Sequence, residues 1–182
     1  MFRKFIKRDF REIVGFGSVS LVFSLFAGLL LAVFMNKIFI IPGILILLPG
    51  FLEMRGNISG SLSSRLTAAL FLKIIKPKIK NTKILRDNII ASFLLAFALG
   101  ITLGLLAVAF EFLIFKVFYW KLLIISLGAA LISTILQIPL TVSLTFYFFK
   151  KGYDPNNIMG PVITSIGDVT SLFAILIMIL LV

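Results

Sequence analysis

Residues 165–182 read SIGDVTSLFAILIMILLV, and this stretch indicates the class of fold. Its last eleven residues carry no polar side chain, as a helix in lipid requires, yet a carboxylate, Asp168, stands near its start. The whole chain is similar: 60% of its 182 residues are hydrophobic, 14% are charged, and the mean hydropathy is +1.17. Soluble domains cannot hide so much apolar surface. The sequence therefore predicts an all-α integral membrane protein.

Five apolar segments predict five transmembrane helices in a single domain, residues 1–182. About 20 helical residues cross the roughly 30 Å of hydrocarbon in a bilayer. The predicted spans are residues 13–35, 38–73, 87–114, 121–149 and 158–182. A secretory signal is the alternative for the first segment. Because that segment is long and no A-x-A-like cleavage site follows it, we expect a retained span.

The second segment is too long for a simple span, since its 36 residues would form a helix of about 54 Å. Residues that allow a helix to kink or unwind interrupt it: Pro42, Gly43, Pro49, Gly50, Gly56 and Gly60. Unwound backbone at membrane depth exposes carbonyls that can hold ions, so this broken or kinked segment is a candidate site. The alternative is a cytoplasmic turn at residues 53–65, where Arg55 and Arg65 would snorkel out of the membrane.

Basic residues are concentrated at one end of the predicted bundle. The formal net charge is +11, and segments 2–12 and 73–86 carry five and six basic residues between apolar runs. The opposite turns keep only Lys37, Lys116 and Lys121. The positive-inside rule then predicts a cytoplasmic membrane protein with its N-terminus inside and its C-terminus outside. Charge placed in this way argues against nucleic acid as a partner.

Asp168 is the first functional candidate. If the last helix starts near Ile158 and is capped by Asn156 or Asn157, Asp168 lies about 15 Å from the cytoplasmic edge, near the bilayer midplane. An acid there costs from about 2.5 kcal/mol upward and should face the bundle interior or an aqueous path. Because no Lys or Arg is expected at that depth, an ion or water is favoured as its partner over a role in helix packing.

Polar residues at helical spacing predict three polar faces that converge. They are Glu53, Asn57, Ser61 and Ser64 in the second segment, Thr134, Gln137, Thr141 and Thr145 in the fourth, and Pro161, Thr164, Ser165, Asp168 and Ser171 in the fifth. These faces offer oxygen, which hard divalent cations prefer. The hydroxyls of the fourth segment could equally bond their own i−4 carbonyls.

The absence of Cys and His limits the chemistry that this chain can perform. It excludes thiolate zinc sites, haem ligation and proton shuttling by histidine. No pair of carboxylates is fixed close together in sequence, so an intramembrane hydrolase has few parts to work with. We expect neither an enzyme nor a resident cofactor.

The other acids are expected to have structural roles. Glu111 lies near Lys116 and is expected to form an interfacial ion pair. Asp154 is expected to lie in a cytoplasmic turn, with Pro155 stopping the preceding helix; a position at a pore mouth is the alternative. Solvated positions at helix ends are expected for Asp9, Glu12 and Asp87.

Gly100 and Gly104 form a G-x-x-x-G pair in the third segment. Small residues at this spacing allow a neighbouring helix to approach closely.

Two stretches resemble a known family. Residues 49–66, PGFLEMRGNISGSLSSRL, resemble the pattern P-x-L-L-G-x-K-G-N-x-x-x-x-x-x-S-R-L of the solute carrier family 41 proteins. Residues 154–172, DPNNIMGPVITSIGDVTSL, are similar to their D-P-D-N-x-x-x-P-x-x-x-x-x-G-D-x-x-x-L. Both patterns belong to the membrane domain of the MgtE magnesium transporter superfamily. With five segments in the same order, the resemblance covers nearly the whole chain.

The resemblance implies a five-helix unit that works as a pair, with a cation path between or within the two units. Asp168 falls on the family's ion-binding aspartate, and Asn57, preceded by Gly56, falls on its pore-lining G-N element. Glu53 stands where the family often has Gly, and we expect its extra carboxylate toward the cytoplasmic side. Bacterial MgtE also carries N-terminal and CBS domains that sense magnesium, and gating by such domains is not carried over to these 182 residues.

The sequence thus predicts a homodimer that moves divalent cations, Mg²⁺ in the first place, across a lipid membrane. Asp168 would supply charge, while Asn57, Thr164 and Ser165 orient water or ion. A non-transporting scaffold or assembly subunit, in which Asp168 packs helices, is the alternative from another class. A channel and an exchanger coupled to Na⁺ or H⁺ both need acids at this depth, so the two stay open.

Overall fold

The computed structural model describes the backbone of residues 2–80 and 82–182 and the side chains of these residues from Lys7 onward. It contains five helices, α1 (Phe2–Ile38), α2 (Ile44–Phe71), α3 (Lys83–Phe115), α4 (Lys121–Lys150) and α5 (Pro155–Leu181). The five predicted segments correspond to these helices in order, which confirms the all-α prediction. The side chains of Arg3 and Lys4, which contribute to the predicted basic end, lie outside the described residues.

The second predicted segment is interrupted before α2 begins. Pro42 and Gly43 lie in the turn after α1, and Gly43 has a φ of 71°, in the left-handed region that suits glycine. The 28 residues of α2 then form one helix of about 42 Å. Pro49 lies inside it and removes one backbone donor. A cytoplasmic turn at residues 53–65 is therefore wrong, and so is unwound backbone at Gly56.

The start of α5 is fixed by an aspartate followed by a proline. The Oδ1 atom of Asp154 accepts a hydrogen bond from the backbone N–H of Asn156 at 2.9 Å. Pro155 occupies the first helical position, where a missing N–H costs nothing. The prediction that Asn156 or Asn157 caps a helix near Ile158 is therefore wrong, and Asp154 has a defined role at the helix end.

α2 lies among three neighbours, packing against α3, α4 and α5, whereas α1 packs chiefly against α5. In the part of the chain that the structure describes, four helices are long and apolar enough to cross a membrane: α1 from Lys7, α3, α4 and α5. Glu53, Arg55 and Arg65 make α2 less apolar than the others. Large apolar side chains of α2, such as Leu47 and Phe51, are nevertheless fully buried.

The G-x-x-x-G pair brings α3 against α4, as predicted. A Cβ atom at Gly104 would lie 2.8 Å from the Cα atom of Leu123, and one at Gly100 would lie 3.0 Å from the Cβ atom of Ala130. The hydroxyl of Ser126 on α4 donates to the Gly100 carbonyl at 2.8 Å. The two backbones approach so closely that larger side chains would separate them.

Candidate functional site

α2 and α5 meet at Gly56 and Thr164. A Cβ atom at Gly56 would lie 3.5 Å from the Oγ1 atom of Thr164, which is van der Waals contact. Because the helix connections are short, successive helices alternate in direction, and α2 runs antiparallel to α5. Glu53 and Asp168 then lie on the same side of this contact, displaced along their helices by about 4.5 and 6 Å. The two carboxylates therefore stand at nearly the same depth.

This crossing presents polar side chains on the outside of the bundle. The polar residues of α2 at this crossing are exposed. On α5, Thr164 is exposed and Asp168 is half-buried. We call this set the α2–α5 polar surface: Glu53, Asn57, Ser61, Ser64, Thr164 and Asp168. The other helices of the same chain leave it uncovered, so it meets either water or a second molecule.

Asp168 is the fourteenth of the 27 residues of α5 and so lies at the middle of that helix. Among the described residues, no Lys or Arg forms an ion pair with it. A carboxylate at the centre of a membrane helix without a protein cation is a default candidate for an ion or water site.

Thr164 and Ser165 are adjacent but lie in different surroundings. The hydroxyl of Thr164 donates to the Gly160 carbonyl at 2.8 Å and remains exposed. The hydroxyl of Ser165 is shared between the carbonyls of Pro161 and Val162, at 3.1 Å each, and the residue is buried. The structure therefore places Ser165 inside the bundle, away from the α2–α5 polar surface.

Glu53 does not lie toward the basic end of the bundle, and that expectation is wrong. It is the tenth of the 28 residues of α2, so it is nearer the end that follows the α1–α2 turn. The basic connection 73–80 follows the opposite end of α2. The depth of Glu53 instead matches that of Asp168.

A buried arginine occupies the inner side of α2. Arg55 is fully buried; its Nη1 atom donates to the Oγ1 atom of Thr134 at 2.7 Å, and its Nη2 atom donates to the Oε1 atom of Gln137. Ser59 donates to the same Gln137 oxygen at 2.8 Å. The expectation that Arg55 snorkels is therefore wrong. The expectation that no Lys or Arg lies near the depth of the α5 carboxylate is also wrong, because Arg55 is only about 3 Å from Glu53 along α2. Arg55 lies two residues after Glu53, about 200° around the helix, and so points to the opposite side of α2. This spacing is the signal in the sequence that indicates a separate inner face.

The polar stripe of α4 packs against this inner side of α2. Thr134, Gln137, Thr141 and Thr145 are all fully buried. Thr141 and Thr145 donate to their own i−4 carbonyls at 2.8 and 2.7 Å, and Thr145 lies 3.0 Å from the hydroxyl of Ser63. The prediction of three converging faces is therefore wrong, because the polar face of α4 packs on the side of α2 opposite to the α2–α5 polar surface.

Gln137 connects the buried arginine to the turn of α5 that carries Asp168. Since Arg55 and Ser59 hold its oxygen, its Nε2 atom must face α5, where it donates to the Oγ1 atom of Thr170 at 3.1 Å. Gly167 faces the same nitrogen so closely that a Cβ atom there would overlap it. The turn that carries Asp168 therefore packs against a hydrogen-bond network that does not touch the polar surface.

Glu111 is buried, and the predicted ion pair with Lys116 is wrong. Its carboxylate lies against the start of α2, where a Cβ atom at Gly43 would be 2.8 Å from its Oε2 atom. The N-terminus of a helix carries a partial positive charge that favours a nearby carboxylate. The Oε2 atom is buried and has no hydrogen-bond partner among the described residues, so Glu111 packs against the start of α2 without capping it.

The metal ligands that the α2–α5 polar surface can offer are oxygen atoms, from carboxylates, the carbonyl group of an amide, and hydroxyls. Within the described part of the chain, no three Asp, Glu, His or Cys side chains are grouped closely enough to hold a metal ion. The oxygen ligands of this surface suit a hard cation that keeps much of its water.

Comparison with known proteins gives a consistent result. The family model described as a divalent cation transporter, MgtE, matches residues 48–178, which include the whole of the α2–α5 polar surface. Solute carrier family 41 member 2 from Homo sapiens and from Mus musculus is 27% identical over 166 and 170 residues, respectively. Each match covers 88% of this chain but 28% of the relative, so the chain spans less than a third of their length. With most of its residues matched, this membrane chain belongs to the MgtE family of divalent cation transporters.

Proposed function

We propose that this chain carries divalent cations, Mg²⁺ in the first place, across the cytoplasmic membrane as a homodimer. The ions pass along the α2–α5 polar surface, with Asp168 supplying charge and Asn57 and Thr164 orienting water or ion. Glu53 adds charge at the same depth. The observation that carries the proposal is a row of oxygen ligands on the outside of an otherwise apolar bundle, with one of its carboxylates at the middle of α5.

The free-energy cost of placing charged side chains in lipid argues against lipid as the normal neighbour of this surface. A charged side chain at the middle of a membrane helix costs from about 2.5 kcal/mol upward, and here two acids stand at similar depth. Water or protein must therefore cover them. A water-filled path between two protein surfaces satisfies both acids without a protein cation.

A second copy of the chain is the partner that best completes the surface. A two-fold axis would bring two copies of the same patch together, as in most homodimers. Two chains would then contribute four carboxylates, two Glu53 and two Asp168, where one contributes two. Mg²⁺ sheds water reluctantly and binds few carboxylates directly, so a wide, negatively charged path fits it better than a closed cage. Weak, shared binding also allows the ion to leave.

The orientation proposed is N-terminus inside and C-terminus outside. Described basic residues lie at the start of α1, in the α2–α3 connection and at the end of α4, which share one end of the bundle. The positive-inside rule places this end in the cytoplasm. Nothing in the proposal requires bond-making chemistry, so a catalytic role is not assigned.

The test is flux of Mg²⁺ into liposomes that contain the purified full chain, followed with an enclosed magnesium-sensitive dye. Asp168→Asn keeps the size of the side chain and removes its charge, and we expect it to abolish most of the flux while the protein still folds and dimerises. Asp87→Asn is the matched control, because Asp87 is exposed at the start of α3. Equal flux in wild type and Asp168→Asn, or passage of monovalent ions only, would contradict the proposal.

The same variant separates transport from a scaffold role. In a scaffold, Asp168 would serve helix packing, and Asp168→Asn would lose association with its partner while flux is absent from the wild type as well. A channel and a coupled exchanger are separated by imposing a proton or sodium gradient across the same liposomes. Dependence of Mg²⁺ flux on that gradient indicates exchange, and dependence on membrane potential alone indicates a channel.

A further inference from the structure

A surface cavity of about 610 Å³ lies between the first part of α1 and the α4–α5 turn. Basic side chains of Arg8, Arg11 and Lys151 line it, together with the acid Glu12. It is separate from the α2–α5 polar surface and shares no residue with it. Neither ion transport nor the packing of the bundle accounts for a cavity with this charge.

The acid in the cavity is already occupied. Glu12 is 7% exposed; its carboxylate forms an ion pair with Arg8 at 3.4 Å and accepts a hydrogen bond from the side-chain amide of Asn157 at 3.4 Å. The expectation that Glu12 is a solvated charge is therefore wrong. Arg11 and Lys151 are exposed and form no ion pair with a described side chain. Two basic groups are thus available to an anion.

The cavity changes character along α1. From Arg8 to Val19 the helix rises about 16 Å, from the basic mouth to a wall of Gly15, Phe16 and Val19. Tyr153 also lines it, and aromatic residues of this kind are common at the level of lipid headgroups. A ligand that fits must be anionic at one end and apolar at the other.

The walls of the cavity are held by specific contacts. The ring of Phe16 packs edge-on against Phe148 and Tyr153, with centroids 5.1 and 5.7 Å apart. One turn further along α1, the hydroxyl of Ser20 donates to the Pro161 carbonyl at 2.6 Å. The cavity is therefore built into the packing of α1 on the rest of the bundle.

We propose that this cavity binds the phosphate group of an anionic phospholipid, with the start of an acyl chain against Gly15 and Val19. Arg11 and Lys151 contact the phosphate, and Arg8 stays with Glu12. In the proposed orientation the cavity faces the cytoplasmic leaflet, where basic pockets between membrane helices bind anionic headgroups. The proposal does not depend on which ion is transported, and it assigns α1 a lipid contact of its own.

Binding is measured on the purified full chain in detergent, by native mass spectrometry and by the shift of the melting temperature when phosphatidylglycerol is added. The comparisons are phosphatidylcholine, which lacks net charge, and inorganic phosphate, which lacks acyl chains. We expect wild type to retain one phosphatidylglycerol per chain in preference to phosphatidylcholine. No preference between the two lipids, or the same stabilisation by inorganic phosphate, would overturn the proposal.

Two variants test the two ends of the cavity independently. Arg11→Gln with Lys151→Gln should weaken phosphatidylglycerol binding about thirtyfold, since each basic residue near a membrane surface contributes roughly fivefold. Gly15→Leu should also weaken it, because a Cβ atom at Gly15 meets nothing within 4 Å and the side chain would enter the cavity without straining the fold.

The matched control variants make the same kinds of substitution at positions that do not line the cavity. Lys78→Gln with Lys80→Gln removes two exposed charges from the α2–α3 connection, and Gly28→Leu adds the same side chain at another open position of α1. Both should bind phosphatidylglycerol as the wild type does. A loss in the controls equal to that in the cavity variants means that only general charge or hydrophobicity matters, and the cavity is then not the site.

Discussion

Gly167→Ala is the most informative single change, because it tests whether the buried network positions Asp168. A Cβ atom at Gly167 would overlap the Nε2 atom of Gln137. That nitrogen cannot swing away freely, because hydrogen bonds from Arg55 and Ser59 hold the oxygen of the same amide. Alanine should therefore push α5 away from α4 and, with it, break the bond between Gln137 and Thr170. Both changes move the turn next to Asp168.

The size of the effect follows from these contacts. Overpacking costs about 1–3 kcal/mol, and loss of the bond to Thr170 costs about 1 kcal/mol more. Gly160→Ala on the same helix is the matched control, since a Cβ atom there meets nothing within 4 Å. Both variants gain about 1 kcal/mol from better helix propensity, so that gain cancels. Gly167→Ala should therefore be less stable than Gly160→Ala by roughly 2–4 kcal/mol.

The assay is thermal unfolding of the purified variants in one detergent, together with Mg²⁺ flux in liposomes. For a chain of this size the difference corresponds to about 4–16 °C in melting temperature, with flux lowered in Gly167→Ala only. Replacing Gln137 by Ala removes the obstructing atoms, so Gly167→Ala should cost much less in that background. Equal melting temperatures for the two glycine variants, or an unchanged cost after Gln137→Ala, would refute the reasoning.

Three further predictions concern helix contacts and single side chains. Gly104→Leu should separate α3 from α4, because the new side chain would meet the backbone of Leu123, and the melting temperature should fall. Gly28→Leu, at an open position of α1, should leave the melting temperature unchanged. Ser165→Ala should leave Mg²⁺ flux unchanged, because that hydroxyl is buried and bonded to its own helix; a large loss of flux would return it to the ion path. Asp154→Ala should destabilise the start of α5 by about 1 kcal/mol in thermal unfolding, whereas Asp154→Asn should retain stability because asparagine can accept the same N-cap hydrogen bond. Equal losses in the two variants would mean that the charge of Asp154 matters rather than its N-cap hydrogen bond.

The helices and one close contact could be predicted from local pattern. Apolar runs of sufficient length have one low-energy structure in lipid, a helix, so the order of the five helices follows from hydropathy. Gly100 and Gly104 predict the close approach of α3 because the spacing itself places two small residues on one face. Asp168 at the middle of α5 follows in the same way from helix length.

The environment of each polar face could not be predicted, because a period of 3.6 residues shows which residues share a face and not what that face meets. Arg55 is bound by Thr134 and Gln137, which lie 79 and 82 positions away in sequence. The α4 stripe therefore looks like a pore wall in sequence and is an internal contact in the structure. Ser165 is buried although Thr164 beside it is exposed, because adjacent residues point about 100° apart around α5.

The two polar faces of α2 are best understood together. The inner face binds α4 through Arg55, and a rotation of α2 by one residue would take that guanidinium away from Thr134 and Gln137. An unsatisfied arginine at this depth costs from about 2.5 kcal/mol upward, so the inner contacts fix the rotation of the helix. Because Glu53 and Asn57 lie on the opposite side of the same helix, that rotation also fixes the direction in which they face. The residues proposed to meet the ion thus depend for their orientation on residues that never contact it, and variants of the buried network should alter flux even when the α2–α5 polar surface is intact.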